Sequence, residues 1–356
     1  MSDRGTDPGE PASEWSEDGE YYDLNGLRVD VDPDRLLAGR PTGETHAGLR
    51  VLENDHPAVP EIEVPYFPAP LDGVPRDTEE TFYRALSLHK PVILEGEAGT
   101  GKNHLVRAVA SRVTLPVYRQ EFGADTSVLD VVGEKDLDGH GGTYYILGQA
   151  AKAAIFGGIY VADELNMATG SVTAYLHPLY EDRGKRELHL RGVGRTLRDL
   201  PSDETWDPGK HLGRYIHPDF HATATMNPLH YADTAELNDA LRSRCVVIEH
   251  PYLAASEDDE AGIETEVELL QVETGAEDED RLIDLVRFAA VLREARREAN
   301  AIATPIGHRE LRDTVEMAGP NEEFMAYDEA ARVKFVGQAA MKSDKQFIRD
   351  AIADEL

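Results

Sequence analysis

Short apolar runs recur through the middle of the chain, and each is followed by polar or glycine-rich sequence. They are PVILEG (91–96), LPVYRQEF (115–122), GGIYVADE (157–164), FHATATMN (220–227) and CVVIEHP (245–251). Continuous apolar runs of this length are typical of strands that are buried on both faces. Segments with helical spacing separate the first four runs, over Lys102–Val113, Leu147–Phe156 and Ser171–Asp182. This alternation predicts an α/β fold, with a parallel sheet covered by helices on both faces.

The sequence on either side of this region follows other patterns. Residues 1–60 are rich in Asp, Glu, Gly and Pro with few regularly spaced apolar positions, which predicts a disordered acidic arm. From about residue 254 the apolar positions recur at helical spacing, so a smaller helical unit is expected after the sheet. We therefore predict an N-terminal arm over 1–60, an α/β domain over 61–253, and a helical unit with C-terminal helices over 254–356.

The net charge of the chain indicates which kinds of partner it can bind. There are 68 acidic and 36 basic residues, for a formal net charge of -32. A field of this sign repels the phosphates of nucleic acids, so a nucleic-acid partner is not expected. The acidic residues are spread over the whole chain, which favours the solvated surface of a halophilic, haloarchaeal protein. An acidic surface that steers a partner protein is the alternative.

Three features indicate a cytoplasmic protein. No run of residues without Asp, Glu, Lys or Arg, residues 153–162 among them, reaches the roughly 20 apolar residues that a membrane span requires. The N-terminal sequence has neither the basic nor the apolar region of a signal peptide. Cys245 is the single cysteine and cannot form an internal disulfide, which is typical of a reducing compartment.

The first apolar run leads into a glycine-rich sequence with the spacing of a phosphate-binding loop. Glycines at three of its positions leave room for backbone N–H groups to close around phosphate oxygens. Lys102 supplies a positive charge near the β and γ phosphates. The predicted nucleotide-binding residues are Gly96, Glu97, Ala98, Gly99, Thr100, Gly101, Lys102, Asn103 and His104. The context of a strand before the loop and a helix after it supports this interpretation.

Polar residues at the ends of later apolar runs suggest the chemistry of hydrolysis. Asp163 and Glu164 end the third run, where Asp163 would bind Mg²⁺ and Glu164 would polarise a water for attack on the γ-phosphate. Asn227 ends the fourth run and could orient that water, although an Asn-Pro turn explains it equally well. Arg244 and Arg242 precede the last run and could stabilise transition-state charge across a subunit boundary. A helix end whose cations complement the helix dipole is the alternative.

With these elements in this order, the chain resembles the AAA+ ATPases of the MoxR/dynein-related (AAA_5) group, and within it the NorQ/CbbQ/NirQ type. The sequences that carry the resemblance are LEGEAGTGK, LDVVGEKD, GGIYVADELNMA, LHPLYEDRGKRELHL, HPDFHATATMNP and LNDALRSRC. The resemblance covers residues 62–253 well and extends more loosely to about residue 320. It implies a five-stranded parallel sheet in the order 5-1-4-3-2, followed by a small helical lid.

The resemblance also implies roles and partners. It assigns Walker A to Lys102 and the 96–103 backbone, Walker B to Asp163 and Glu164, sensor 1 to Asn227, the arginine finger to Arg244, and sensor 2 of the lid to Arg309. The implied cofactors are ATP and Mg²⁺. The implied assembly is a homo-oligomeric ring, usually a hexamer, that acts as a chaperone on a client protein. A von Willebrand A-domain partner and metal-cofactor insertion are implied in the same way.

One position departs from the family pattern. Asn103 stands where Ser or Thr normally binds Mg²⁺, and its amide oxygen is an acceptable ligand of the same kind, so Asn103 and Asp163 are the predicted metal ligands. An ATP-hydrolysing motor is the favoured interpretation. A nucleotide-gated scaffold or switch with little turnover is the alternative that Asn103 supports. A cobaltochelatase small-subunit-like motor, suggested by VVGEKD, and a McrB-type GTPase also remain open, although the acidic charge counts against the latter.

Overall fold

The structure of the chain is a computed structural model that describes residues 21–53, 55–138, 141–228, 237, 239–299 and 302–356. The strands in these ranges are β1 (Tyr22–Asp23), β2 (Arg28–Val29), β3 (Arg40–His46), β4 (Leu49–Glu53), β5 (Val92–Glu95), β6 (Val117–Glu121), β7 (Gly133–Leu137), β8 (Thr143–Leu147), β9 (Gly158–Asp163), β10 (Glu187–Leu190), β11 (Arg195–Asp199), β12 (Tyr215–Ile216), β13 (Phe220–Met226) and β14 (Val246–Glu249). The helices are α1 (Pro33–Leu36), α2 (Thr78–Ser87), α3 (Lys102–Val113), α4 (Val128–Val132), α5 (Gln149–Phe156), α6 (Gly170–Leu176), α7 (Pro208–His211), α8 (Asp239–Arg242), α9 (Glu260–Thr274), α10 (Glu279–Ala299), α11 (His308–Ala318), α12 (Tyr327–Ala331) and α13 (Lys342–Glu355).

The central sheet has five parallel strands in the order β14-β5-β13-β9-β6. In chain order this is 5-1-4-3-2, so the predicted α/β fold and strand order are confirmed. Every residue of β9 and of β13 is buried, which explains why these strands appear in the sequence as unbroken runs instead of alternating patterns. The registers place Val161 of β9 opposite Thr223 of β13 on one side and Arg119 of β6 on the other.

The N-terminal region is folded where the structure describes it. In this region β1 and β2 extend the β7–β8 hairpin into a four-stranded sheet, with Val29 opposite Tyr145. The β3–β4 hairpin follows, and Leu49 and Leu52 are buried there. The predicted disorder is therefore wrong for residues 21–53, because the few apolar side chains of this segment suffice to attach short strands to a distant hairpin. Residues 1–20 lie outside the described residues.

The chain divides into two compact units. The first comprises the described residues within 21–62, 80–94 and 106–248, and its core contains Tyr160 and Phe220. The second comprises residues 63–79, 95–105 and 249–356, with the helices α9–α13 around a separate core. Within the described ranges, no helix combines the length and the apolar character that crossing a membrane requires.

Candidate functional site

The glycine-rich loop connects a strand to a helix, as its sequence predicts. β5 ends at Glu95 and α3 begins at Lys102, so the turn occupies residues 96–101. The Lys102 ammonium donates to the carbonyl oxygens of Gly96 at 2.6 Å and Glu97 at 2.7 Å. Gly99 has a φ of 79°, in the left-handed region where side chains are disfavoured.

Packing within the second unit leaves no room for a side chain at two glycines of this loop. A Cβ at Gly96 would lie 2.2 Å from the carbonyl oxygen of His250, and a Cβ at Gly99 would lie 2.8 Å from the Cα of Gly307. The loop backbone is thus a bare cradle beside a lysine cation. These residues fit the phosphate groups of a nucleotide, which backbone N–H groups and a positive charge bind.

Aromatic and imidazole side chains support the loop from beneath. His250 Nε2 lies 2.8 Å from the Tyr66 hydroxyl, and Tyr252 donates to the carbonyl oxygen of Ala98 at 3.1 Å. Burial, together with the neighbouring Lys102 cation, lowers the pKa of His250 to about 3. His250 is therefore neutral at physiological pH and adds no charge that would repel Lys102. No sequence pattern pointed to these supporting residues.

A hydrogen-bonded network in the first unit joins the predicted acidic pair to the predicted asparagine. The Thr225 hydroxyl donates to Asp163 Oδ1 and accepts from the Glu164 backbone N–H at 3.1 Å. Asn227 Nδ2 donates to Glu164 Oε1 at 3.3 Å. Because parallel strands end at the same edge of a sheet, β9 and β13 bring Asp163, Glu164 and Asn227 together. Glu164 and Asn227 could hold one water molecule between them.

Glu164 has an unusual backbone conformation. Its φ of 56° and ψ of 43° lie in the left-handed region, which costs a non-glycine residue roughly 1–2 kcal/mol. The contact with Thr225 holds this conformation, and Asn166 Nδ2 donates to the carbonyl oxygen of Asn227 at 2.9 Å on the facing strand end. Strained residues fixed by their surroundings concentrate at functional sites. The strain directs the Glu164 side chain toward Asn227.

Arg119 is a site residue that the sequence did not reveal. It lies on β6, and its Nε donates to Asp163 Oδ2 at 2.7 Å. Thr225 and Arg119 therefore bond both carboxylate oxygens of Asp163. A carboxylate is a ligand that Mg²⁺ accepts, so the donor type fits this metal. The half-exposed guanidinium of Arg119 is a cation that competes for the same oxygen.

The arginines before β14 lie on the surface of the first unit. Arg244 Nε donates to Glu181 Oε1 at 2.5 Å, and 35% of the Arg244 side chain remains exposed. Arg242 is the last residue of α8, and its Nη1 lies 4.0 Å from the sulfur of Met226. Glu181 thus holds Arg244 in place without burying it.

The remaining predicted residues lie in the second unit. Asn103 and His104 follow Lys102 in the first turn of α3, and the His104 ring lies 5.8 Å from the Tyr66 ring. Arg309 is exposed on α11, one residue after His308.

His308, unlike Arg309, is held by a charged network. Its Nδ1 lies 3.1 Å from Glu266 Oε1 and its Nε2 lies 2.9 Å from Glu273 Oε2. Arg293, with a side chain only 2% exposed, donates to both oxygens of Glu266 at 2.6 and 2.9 Å. The backbone N–H of His308 also donates to the Gly99 carbonyl oxygen at 3.3 Å, so this network adjoins the glycine-rich loop.

The stability of the protein is expected to fall as pH rises through the titration of His308. Burial lowers the pKa of His308, but its hydrogen bonds to Glu266 and Glu273 outweigh this effect, so the pKa is raised above its ordinary value. The stabilisation is complete below about pH 6.5, the ordinary pKa of histidine, and is lost as pH rises through the raised pKa. The free energy of unfolding should fall there by up to about 1.4 kcal/mol per pH unit.

Denaturant unfolding at constant salt over a series of pH values measures this slope. His308→Gln should remove it, and His189→Gln, which changes an exposed histidine of the first unit, should leave it unchanged. An equal slope in wild type and His308→Gln would contradict the assignment.

Comparisons with known proteins bear on the same region. Residues 91–245 match the family model described as the AAA domain of the dynein-related subfamily. The denitrification regulatory protein NirQ of Pseudomonas aeruginosa is 32% identical over 179 residues, which cover 50% of this chain and 61% of that protein. NorQ of Paracoccus denitrificans is 29% identical over 233 residues, or 65% of this chain and 73% of that protein. NirQ of Stutzerimonas stutzeri is 36% identical over 123 residues, which cover 35% of this chain and 44% of that protein. The chain thus spans about three fifths of the first relative and less than half of the third.

Proposed function

The chain belongs to the AAA+ ATPases of the dynein-related, MoxR-like group, and from this premise we propose that it is a Mg-dependent ATP-hydrolysing motor that remodels or activates a partner protein. The observation that carries the proposal is the network of Asp163, Thr225, Glu164 and Asn227. A carboxylate held in a strained conformation against an amide side chain is the arrangement that positions a water for attack. A surface turn at a strand end needs neither the strain nor the buried threonine.

Each residue has a distinct task in this proposal. The backbone of residues 96–103 and the Lys102 ammonium bind the phosphates of ATP. Glu164 accepts a proton from the attacking water, and Asn227 orients that water. Arg244 of a neighbouring subunit stabilises the charge of the transition state, and Arg309 senses the nucleotide from the lid.

Asp163 and Asn103 are the residues that would hold Mg²⁺. When bound, the ion neutralises negative charge on the phosphate oxygens. Asp163 is held at its outer oxygen by Arg119, so Arg119 must release this oxygen before the carboxylate can act as a metal ligand. Arg119 therefore determines how readily the Asp163 carboxylate can bind the metal ion.

Arg119→Gln is expected to strengthen Mg²⁺ binding by a few-fold, up to about tenfold. The substitution removes the cation that competes for Asp163, and the effect stays modest because exposed ion pairs contribute little. Calorimetric titration of Mg²⁺ into protein saturated with a non-hydrolysable ATP analogue measures it. Arg198→Gln is the matched control, since Arg198 forms an exposed ion pair with Glu187 in the same unit. A Mg²⁺ affinity equal to that of wild type would show that Arg119 does not limit the site.

The proposed assembly is a homo-oligomeric ring, a hexamer, in the cytoplasm of a halophilic organism. The exposed position of Arg244 supports a role at a subunit boundary, where a neighbouring nucleotide would lie. A client protein, reached through a von Willebrand A-domain adapter and receiving a metal cofactor, is proposed from the similarity to NorQ and NirQ proteins. Light scattering of the ATP-bound protein in high salt tests the ring, and a monomer under all nucleotide conditions would contradict it.

A nucleotide-gated scaffold with little turnover is the second candidate. The ion pair between Arg119 and Asp163 and the amide of Asn103 both favour it, since each weakens the metal site. Hydrolysis of ATP by the purified protein with Mg²⁺ in high salt separates the two. Turnover that depends on Mg²⁺ supports the motor, whereas tight ATP binding without turnover supports the scaffold.

A further inference from the structure

A large cleft lies in the first unit at the amino-terminal ends of β9 and β13. Its volume is about 1840 Å³, and its walls include Asp219 just before β13 and residues 199–210 after β11. The carboxyl ends of these strands, which carry Asp163 and Asn227, lie at the opposite edge of the sheet. The cleft is therefore separate from the network around Glu164, and no role proposed above uses it.

The cleft is lined by charged side chains of both signs. Five lining residues are cationic and five are carboxylates: Arg40, Arg50, Arg183, Arg186 and Lys210, with Asp34, Asp199, Glu204, Asp207 and Asp219. Three of the cations are paired with carboxylates of the protein, and the most exposed of these pairs joins Lys210 to Asp207 at 3.3 Å. Arg186 donates through Nη2 and Nε to Asp199 at 2.6 and 2.9 Å, and Arg50 pairs with Asp219. These ion pairs form the rigid wall of the cleft.

Arg183 differs from these paired arginines. Its Nη1 lies 2.6 Å from Nε2 of His89, and it forms no ion pair with any residue that the structure describes. Burial together with the Arg186 cation lowers the pKa of Arg183. The Asp199 and Asp219 carboxylates partly offset this effect, and Arg183 is exposed to solvent, so it keeps its positive charge at physiological pH. An added anion would relieve this charge.

The histidine beside Arg183 is neutral and does not balance the arginine's positive charge. Burial, and then the Arg183 and Arg186 cations, lower the pKa of His89 to about 4, so the ring is neutral. Because arginine only donates hydrogen bonds, Nε2 of His89 accepts and its proton is on Nδ1. That buried Nδ1 has no hydrogen-bond partner among the described residues. The ring stacks on His221 at 5.0 Å, which fixes its orientation beside Arg183.

We propose that this cleft binds a small molecule carrying an oxyanion group, a carboxylate or a phosphate, and that Arg183 is its principal ligand. A guanidinium binds both groups through two parallel N–H bonds. Arg50 and Arg186 contribute positive potential from the wall while they stay paired with their aspartates. The proposal does not depend on ATP hydrolysis.

The cleft offers more than a site for a bare ion. Trp206, Leu37 and Ile216 also line it, and the Trp206 ring contacts His217 edge-on at 4.8 Å between centroids. The cleft is larger than typical ligand pockets, which have volumes of about 300–1,000 Å³, but like them it combines apolar walls with polar groups. The ligand class that fits is therefore an organic acid or a phosphate ester whose apolar part contacts Trp206.

Fluorescence of Trp206 reports on binding in this cleft. Trp15 is the second tryptophan of the chain, so Trp15→Phe leaves Trp206 as the sole emitter. This protein is titrated with inorganic phosphate and, separately, with hexanoate at constant chloride concentration, and calorimetry of the same titrations detects binding that leaves the emission unchanged. We expect saturable binding of at least one anion, weakened about tenfold or more in Arg183→Gln.

The control is Arg84→Gln, which changes an exposed arginine of the same unit outside the cleft and should leave the affinity unchanged. Saturation by phosphate alone assigns a phosphate-bearing ligand, and saturation by hexanoate alone assigns a carboxylate. Absence of saturable binding of both anions would overturn the proposal. Equal affinities of wild type and Arg183→Gln would overturn it as well.

Discussion

Glu164→Gln is expected to lower the rate of ATP hydrolysis by about 10²–10⁴-fold while ATP still binds, because loss of a general base removes an effect of this size. The glutamine keeps the shape of the side chain and its contact with Asn227, but it cannot accept a proton from the attacking water. The phosphate-binding loop is unchanged in the variant. Steady-state phosphate release with Mg²⁺ in high salt measures turnover, and fluorescence of a labelled ATP measures binding.

Glu249→Gln provides the matched control for this experiment. Glu249 is an exposed carboxylate at the carboxyl end of another strand of the same sheet, and its loss should leave turnover near the wild-type rate. If wild type binds ATP but is as inert as Glu164→Gln, and Asn103→Thr restores turnover, the scaffold interpretation replaces the motor. Equal turnover of Glu164→Gln and wild type would remove Glu164 from the mechanism.

The sheet and the loop could be predicted from the sequence because their signals are local. The strands β5, β9 and β14 are short, mostly apolar runs, and the glycines of the loop stand at fixed spacing from Lys102. The acidic pair was identifiable for the same reason, since Asp163 and Glu164 end such a run. Burial on both faces of a parallel sheet requires these runs, so few other sequences would be compatible with it.

The residues that support the site depend on contacts between distant segments. Arg119 and Asp163 are in contact because β6 pairs with β9, and the sequence around either residue does not predict this pairing register. Thr225 is a polar residue within a buried strand that the sequence analysis did not identify, and its two contacts explain why a hydroxyl is tolerated there. His308 is not among the predicted residues, because its two glutamate partners lie on α9, more than 30 residues away in the sequence.

The order of residues 21–53 was missed for a similar reason. A two-residue strand such as β2 has no stability of its own, and its partner Tyr145 lies over 100 residues along the chain. Acidic composition alone therefore suggested disorder. The sequence also could not show that Arg183 forms no ion pair with the described residues. That depends on the fold, in which Arg50 and Arg186 pair with the nearby carboxylates Asp219 and Asp199.

Arg244→Ala is expected to lower ATP turnover by about 10³-fold or more, the effect typical of an arginine that stabilises phosphoryl-transfer charge. Arg242→Ala is the control, because Arg242 contacts Met226 within its own unit and should affect turnover little. Glu181→Gln should give a smaller loss, since Glu181 positions Arg244 through a hydrogen bond of 2.5 Å while Arg244 itself is the proposed stabilising group. Phosphate release at saturating ATP measures all three variants.

Mixing variants distinguishes action across a subunit boundary from action within one subunit. Arg244→Ala subunits keep Glu164, and Glu164→Gln subunits keep Arg244, so each should be inactive alone. If Arg244 serves the neighbouring nucleotide, a mixed ring brings an intact Glu164 next to an intact Arg244 and turnover should recover in part. Recovery of activity on mixing would also require that the chains assemble. Persistent inactivity in mixtures shown to co-assemble would place Arg244 beside the nucleotide of its own subunit, and wild-type turnover by Arg244→Ala alone would exclude it from catalysis.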